Sequence, residues 1–318
     1  MPKHTQIGLG LAAIGRPEYI NIKKEEIQQS ETAFKNNAMD VLDDAYRFGV
    51  RYFDTAPSYG KGEQFLIDWH KLRNYKDVTL STKWGYTYMA NWELGYAGKH
   101  EVKEHSFDKL KEQWQISKAL LPELKIYQVH SATLDSGIFT NTEALQELHS
   151  IKKETGVQIG ISSSGVNQNE IIETALSIKI DNEDLFTSFQ VTYNIFEQST
   201  YKLLKRILSE NKTVIIKEAL ANGRVFPNEN FKHYEKAYNY FNILSKQYNV
   251  GVDAIAIRFI IDSLAPDVVL SGALTSGQLQ HNLKALSFQL SSEDMHQLQI
   301  FASQPKAYWT ERSALDWR

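Results

Sequence analysis

At 318 residues with 42% hydrophobic content, the chain is long enough for one (β/α)8 unit of ~250 residues plus long loops. A formal net charge of −3 gives no general pull toward nucleic acid or anionic membrane, and the absence of cysteine excludes disulfides, thiolate metal sites and cysteine nucleophiles. Neither a signal-peptide core nor a run of ~18 apolar residues is present, so a soluble, cytoplasmic protein is the expectation.

In chain order, β-type runs are predicted at 7–11, 50–53, 78–83, 124–129, 158–162, 188–192, 213–217 and 268–271. Helical patterns fall between them near 37–48, 63–72, 106–121, 141–154, 168–178, 199–210, 232–248 with 252–263, and 276–286. Strict alternation implies a parallel sheet. Eight units predict a closed TIM barrel, whose active site lies at the C-terminal ends of the strands. An open doubly wound sheet is the alternative on pattern alone, and the absence of Gly-x-Gly-x-x-Gly after the first strand disfavours it. One domain over 1–318 is expected, with long loops near 15–35 and 85–105 and a C-terminal tail, 302–318, near the substrate site.

The chemistry-bearing residues stand where such a site would be. Asp54 follows strand two, Lys83 closes strand three and His130 closes strand four, while Tyr59 follows a Pro-Ser turn. A tyrosine hydroxyl can protonate a carbonyl oxygen, but an unperturbed phenol has a pKa near ~10. A nearby lysine cation favours the phenolate, and a carboxylate holds that lysine charged and fixed. A histidine can orient the carbonyl oxygen and donate to it as negative charge develops. Each residue alone also has a plain reading: Tyr59 caps a turn, Asp54 caps a helix, Lys83 is a solvated strand end and His130 is structural. His100 and His105 are five apart and would not share a helix face, so no metal is expected.

The ordered set resembles the aldo/keto reductase superfamily. The matching stretches are Gly8-Leu-Gly10, Gly-Val-Arg-Tyr-Phe-Asp-Thr-Ala-Pro-Ser-Tyr-Gly-Lys-Gly-Glu over 49–63, Ser81-Thr-Lys-Trp-Gly85 and Tyr127-Gln-Val-His130. They continue with Gly160-Ile-Ser-Ser163, Gln190-Val-Thr-Tyr-Asn194, Lys-Glu-Ala-Leu-Ala-Asn-Gly-Arg over 217–224, and Gly272-Ala273 with Gln278 and Asn282.

This resemblance implies a nicotinamide-dependent oxidoreductase that interconverts an aldehyde, ketone or sugar carbonyl with an alcohol. Hydride passes between nicotinamide C4 and the carbonyl carbon. Tyr59 is then the acid–base residue, supported by Lys83 and Asp54, with His130 at the carbonyl oxygen. Gly10, Leu11 and Gly272 are implied at the cofactor. Ser162 and Gln190 match the carboxamide-binding positions. Ser163 replaces the usual asparagine, and a hydroxyl has fewer donors than an amide.

Position 217 in many members is a nicotinamide-stacking aromatic or an arginine. Lys217 is instead expected to face the pyrophosphate with the backbone of Leu220 and Gly223 and with Arg224. A Lys217–Glu218 surface pair is the plain alternative. Gln278 and Asn282 suit the adenine and ribose side. Trp84, Tyr86 and Trp309 are expected to wall an apolar substrate site.

NADP-preferring members carry Lys or Arg after strand eight, whereas this sequence has no cation between Arg258 and Lys284. NADP(H) or NAD(H) is therefore implied, with the usual NADPH preference weakened. The partner is a small carbonyl or alcohol, not nucleic acid or membrane. Two rival functions stay open: a cofactor-binding regulatory barrel with little turnover, and a Schiff-base lyase using Lys83.

Overall fold

The computed structural model describes residues 4–18, 30–93 and 95–316. Part of the insertion expected near 15–35 (residues 19–29) lies outside them, as does Trp317 of the tail. Eight parallel strands close a barrel: β1 (Gln6–Gly10), β2 (Tyr52–Asp54), β3 (Thr79–Trp84), β4 (Leu124–Val129), β5 (Gln158–Ser162), β6 (Phe186–Thr192), β7 (Thr213–Lys217) and β8 (Val268–Ser271). Each pairs with its sequence neighbours, and β1 also pairs with β8, Gln6 opposite Val268. Closure of this kind leaves no strand edge unpaired.

Helices fill the outer layer. They are α1 (Glu31–Arg47), α2 (Gly62–Arg73), α3 (Phe107–Ser117), α4 (Thr142–Thr155), α5 (Gln168–Ser177) and α6 (Tyr201–Ser209). They continue as α7 (Glu235–Tyr248), α8 (Val252–Leu264), α9 (Ser276–Leu283), α10 (Ser292–Gln299) and α11 (Pro305–Ser313). Their ends follow ordinary capping chemistry. The Ser30 side chain accepts from the Ala33 N–H at the start of α1, and Thr275 does the same for Gln278 at the start of α9. No helix among the described residues is long and apolar enough to cross a membrane.

Strand alternation sorts the side chains into two sets. Phe53, Leu80, Tyr127, Val129, Ile161, Phe189, Val191, Val214 and Ile216 belong to the large buried cluster shared with the helices. Tyr52, Ile126, Ile215, Val268 and Leu270 form a separate small cluster, in phase along their strands with Asp54, Gln128 and Lys217. The small cluster is the barrel's own plug, and the polar residues two positions further on sit above it at the C-terminal rim.

Two regions hold more structure than the sequence pattern announces. The expected loop near 85–105 carries an antiparallel ribbon in which Tyr88 pairs with Glu101 and Tyr86 with Lys103. The tail near 302–318 carries α11, which starts with Pro305 in its first turn.

Candidate active site

Asp54 at the end of β2 and Lys83 in β3 form a closed ion pair, 2% and 0% exposed, with Nζ 2.5 Å from Oδ2. The ammonium also donates to the Thr55 carbonyl at 2.9 Å. The other carboxylate oxygen, Oδ1, accepts from Ser81 Oγ at 3.1 Å and from Gln190 Nε2 at 2.9 Å. Burial pulls the Lys83 pKa down from its ordinary value, and the Asp54 charge opposes that pull.

Tyr59 stands over this pair. Lys83 Nζ lies 4.7 Å from the centroid of its ring, and the ring meets His130 edge-on at 5.5 Å. The turn that holds Tyr59 is pinned by glycine. A Cβ on Gly15, in the loop after β1, would come within 2.3 Å of the Tyr59 carbonyl oxygen. Gly60 has φ +63°, which a side chain would strain.

His130 is almost wholly buried, and burial, with Lys83 and Lys217 next in order, holds its pKa well below the ordinary histidine value. The ring is therefore neutral at physiological pH. Its Nδ1 faces Ser58 Oγ at 3.3 Å, and its carbonyl oxygen faces His105 Nε2 at 3.0 Å. The structure thus brings Asp54, Tyr59, Lys83 and His130 together at one rim.

A sequence profile of the Aldo/keto reductase family matches residues 6–302. The chain belongs to the aldo/keto reductase family. It is 24% identical over 316 residues to aldo-keto reductase YhdN of Bacillus subtilis (strain 168), a match covering 91% of this chain and 87% of that one. It is 22% identical over 282 residues to the NADH-specific methylglyoxal reductase of Escherichia coli (strain K12), covering 80% and 84%. Among solved structures, the holo form of aldo-keto reductase AKR11C1 from Bacillus halodurans superposes with a TM-score of 0.69 at 20% identity, covering 94% and 93%. As an aldo/keto reductase, the protein is an NAD(P)(H)-dependent carbonyl/alcohol oxidoreductase.

The rim of this aldo/keto reductase fits a dinucleotide at several points. Ser163, just past β5, carries a buried hydroxyl with no partner among the described residues, and its N–H bonds the Gln190 carbonyl. Gly272, just past β8, has open space where a Cβ would stand. Gly10 and Leu11 lie beside Asp54, whose carbonyl accepts from the Leu11 N–H at 2.8 Å. Ser162 Oγ accepts from the Ser131 N–H. Asn282 donates to Ser271 Oγ at 2.8 Å, and Gln278 Oε1 accepts from the Leu274 N–H, which fixes the loop between them.

At the end of β7, Lys217 donates to Ser164 Oγ at 2.8 Å and Thr192 Oγ1 at 2.9 Å. Burial is the main cause that brings its pKa down to about 8. Glu218 does not form the surface pair expected as the plain alternative. It turns inward to Arg312 of α11 at 2.9 Å, and although burial opposes ionisation, Arg312 and Lys217 bring its pKa down to about 2. Around it, Glu218, Ala221 and Asn222 all have positive φ (54°, 48° and 55°), so the exit of β7, with Leu220 and Gly223, is a strained turn held by its surroundings.

Two expectations need correction. Arg224 does not present its guanidinium to the rim. It is completely buried, donates to the Glu311 carboxylate at 2.9 Å and to the Tyr308 carbonyl, and lies over the Tyr308 ring. Its task is to dock α11. Trp84 is also completely buried and packs edge-on against His105. It neighbours Lys83 in the strand, so the two side chains point to opposite faces and both cannot reach the site. Tyr86 does stand at the rim, 4.9 Å from the His130 ring, whereas Trp309 on α11 is only 9% exposed.

Sequence reasoning missed three residues around Tyr59. Arg16, 2% exposed, donates to the Ser58 carbonyl at 3.1 Å and to Glu101 of the ribbon at 2.7 Å. Its guanidinium lies 5.4 Å from the Tyr59 ring centroid. Ser58 was visible only as a turn residue, and Glu101 only as part of the metal-like His100–His105 run. Among the described residues no group of three His, Cys, Asp or Glu side chains could hold a metal ion.

Glu63 of the matched motif lies beneath the site. It is buried at the start of α2, where its Oε1 accepts from Thr82 Oγ1 at 2.5 Å and Ser117 Oγ at 2.9 Å. Burial raises its pKa to about 7. A carboxyl whose folded-state pKa lies above its unfolded value stabilises the fold most below the unfolded pKa, and that contribution is lost as pH rises through the folded one. Wild type should therefore lose stability relative to Glu63→Gln between about pH 4.5 and pH 7, at up to about 1.4 kcal/mol per pH unit. Thermal melts of both proteins across pH 4–9 check this, and a pH-independent difference between them would show that Glu63 ionises normally.

Proposed function

We propose that this aldo/keto reductase reduces small aldehydes or ketones, sugars included, with Tyr59 as proton donor and with NADH used at least as well as NADPH. The observation that carries the reading is the convergence of a tyrosine, a buried Lys83–Asp54 ion pair and a neutral histidine in one rim. A bound reduced nicotinamide would supply the hydride to the carbonyl carbon. Everything else falls to the chain's own groups. The Lys83 ammonium beside the Tyr59 ring favours the phenolate left after proton donation. Asp54, anchored by Ser81 and Gln190, keeps that ammonium in place. Nδ1 of His130 faces the Ser58 hydroxyl, and in the tautomer in which that hydroxyl donates to Nδ1 the ring proton sits on Nε2, ready for a carbonyl oxygen. Tyr86 beside His130 supplies an apolar face for the substrate.

Ser162, Ser163 and Gln190 would hold the carboxamide end of the cofactor, and Lys217 its phosphates. The name of the Escherichia coli relative, an NADH-specific methylglyoxal reductase, supports both NADH use and a small carbonyl substrate. Fluorescence titration with each cofactor, followed by a panel of aldehydes, ketones and aldoses, tests the reading. NADH should bind at least as tightly as NADPH. A wild-type preference for NADPH above about a hundredfold, worth ~2.7 kcal/mol, would overturn the cofactor assignment.

A further inference from the structure

The loop after β1 is held tightly against the turn that carries Tyr59. The Lys61 N–H donates to the Gly15 carbonyl at 2.8 Å, and a Cβ on Gly60 would come within 2.8 Å of the Arg16 Cβ. Arg16 therefore enters the site at a fixed place, 2% exposed. Its Nη1 donates to the Ser58 carbonyl at 3.1 Å and to Glu101 Oε1 at 2.7 Å. Glu101 comes from the ribbon after β3. There Tyr86 lies opposite Lys103 and Tyr88 opposite Glu101, so these side chains share one face of the ribbon. Tyr86 meets the His130 ring at 4.9 Å, which sets that face over the rim, whereas Val102 of the other face is 42% exposed.

Two cations thus flank one phenol ring. Lys83 Nζ lies 4.7 Å and the Arg16 guanidinium carbon 5.4 Å from the Tyr59 centroid. Each has its own carboxylate, Asp54 at 2.5 Å from Lys83 and Glu101 at 2.7 Å from Arg16. The quartet accounts for the first pair and leaves the second without a task. We propose that Arg16 and Glu101 are a second ion pair that positions Tyr59 and tunes its acidity, an inference that rests on the reading of Tyr59 as proton donor.

A cation beside a phenol favours the phenolate, and a carboxylate beside that cation offsets it. Arg16 therefore acts on Tyr59 in the same direction as Lys83, and Glu101 limits the effect. The other groups around the ring are Lys83 with Asp54, His130, Tyr86 from the ribbon, and Lys217 at the end of β7. The second pair is felt across this set. Burial is the main cause that lowers the His130 pKa, and Arg16 adds to it; burial moves Lys83 down and Tyr86 up, and Glu101 pushes both upward. Through the Ser58 carbonyl the same guanidinium also holds the turn whose hydroxyl faces His130 Nδ1 at 3.3 Å. Arginine can serve both ends because its planar fork offers several fixed donors, which lysine lacks.

Reduction needs Tyr59 protonated, so kcat/KM falls as pH rises through its pKa. That alkaline limb is measured at saturating NADH on the carbonyl of the panel that wild type reduces fastest. Arg16→Met removes the cation and leaves the carboxylate, so the limb should move up by about one pH unit. Glu101→Gln leaves Arg16 without its counter-charge, so the limb should move down by a similar amount. Arg16→Met/Glu101→Gln removes both charges and should bring the limb back. Arg16→Lys keeps the charge, so its limb should stay with wild type while kcat falls, because the grip on Ser58 is weakened. Without cofactor, tyrosinate absorbance is titrated in each protein and in the same protein carrying Tyr59→Phe. The difference should move in parallel with the kinetic limbs. Thermal melting confirms folding, and if Arg16→Met does not fold, Glu101→Gln carries the test by its downward shift. Opposite shifts in the two single variants are a result that a merely structural role does not produce. Limbs that coincide with wild type, that move the same way, or of which only one moves overturn the inference and leave Tyr59 as donor. Wild-type-like activity in Tyr59→Phe overturns the reading of Tyr59 itself.

Discussion

Tyr59→Phe should lower carbonyl reduction by about 10²–10⁴-fold, the usual cost of losing a general acid, while both cofactors still bind. The hydroxyl is the only atom removed, and the ring keeps its packing. That ring sits 4.7 Å from Lys83 Nζ and 5.5 Å from the His130 ring, so phenylalanine leaves the ion pair and the imidazole where they are. The loss should fall on kcat more than on KM, because the proton is needed in the transition state and the ring in both states. Single-turnover reduction with saturating cofactor measures the chemical step directly. A rate in Tyr59→Phe within about tenfold of wild type would remove Tyr59 from the acid role and turn attention to His130.

Lys83→Met should be nearly inactive and also markedly less stable. The two effects have one origin. Asp54 is 2% exposed and its charge is balanced by Lys83 at 2.5 Å. Removing one partner of a buried pair leaves the other charge uncompensated, at a cost of about 3–5 kcal/mol. Adding Asp54→Asn to Lys83→Met removes that charge, and stability should recover. Activity should not recover, because nothing then favours the phenolate of Tyr59. Urea denaturation and the pH profile of kcat on both variants separate the roles. Turnover in Lys83→Met with an unshifted pH profile would show that Lys83 serves the fold alone, and a Schiff-base role for Lys83 would appear as borohydride-trappable adducts in wild type.

The docking of α11 (Pro305–Ser313) illustrates a contact set that no local pattern encodes. Glu311 of α11 accepts from Arg224 and Tyr234, and Arg312 reaches Glu218. Each charge alone reads as a solvated surface residue. Their pairing depends on where α11 lands after the barrel closes, so Arg224 was expected at the cofactor and is instead a docking residue. Trp84 failed for a different reason. The alternation of β3 that sends Lys83 inward sends Trp84 outward, where it is completely buried and cannot join an apolar wall at the rim.

The sequence by itself determined the barrel and singled out the proposed catalytic quartet. Four of the eight strands begin and end as their apolar runs predict: 124–129, 158–162, 213–217 and 268–271. Apolar runs and period-two alternation are local signals, and chain length with strict alternation sets the closure number. Asp54, Tyr59, Lys83 and His130 were legible because their residue types, order and strand-end positions together match a family motif. Tertiary structure alone decided what surrounds them. Arg16 meets Glu101 across 85 positions, Ser58 meets His130 across 72, and Asp44 meets Ser276 across 232. Such pairs leave no periodicity and no composition bias behind. They exist because a closed ring of strands brings α1 against α9, and the loop after β1 against the ribbon after β3, and only then do their charges find one another.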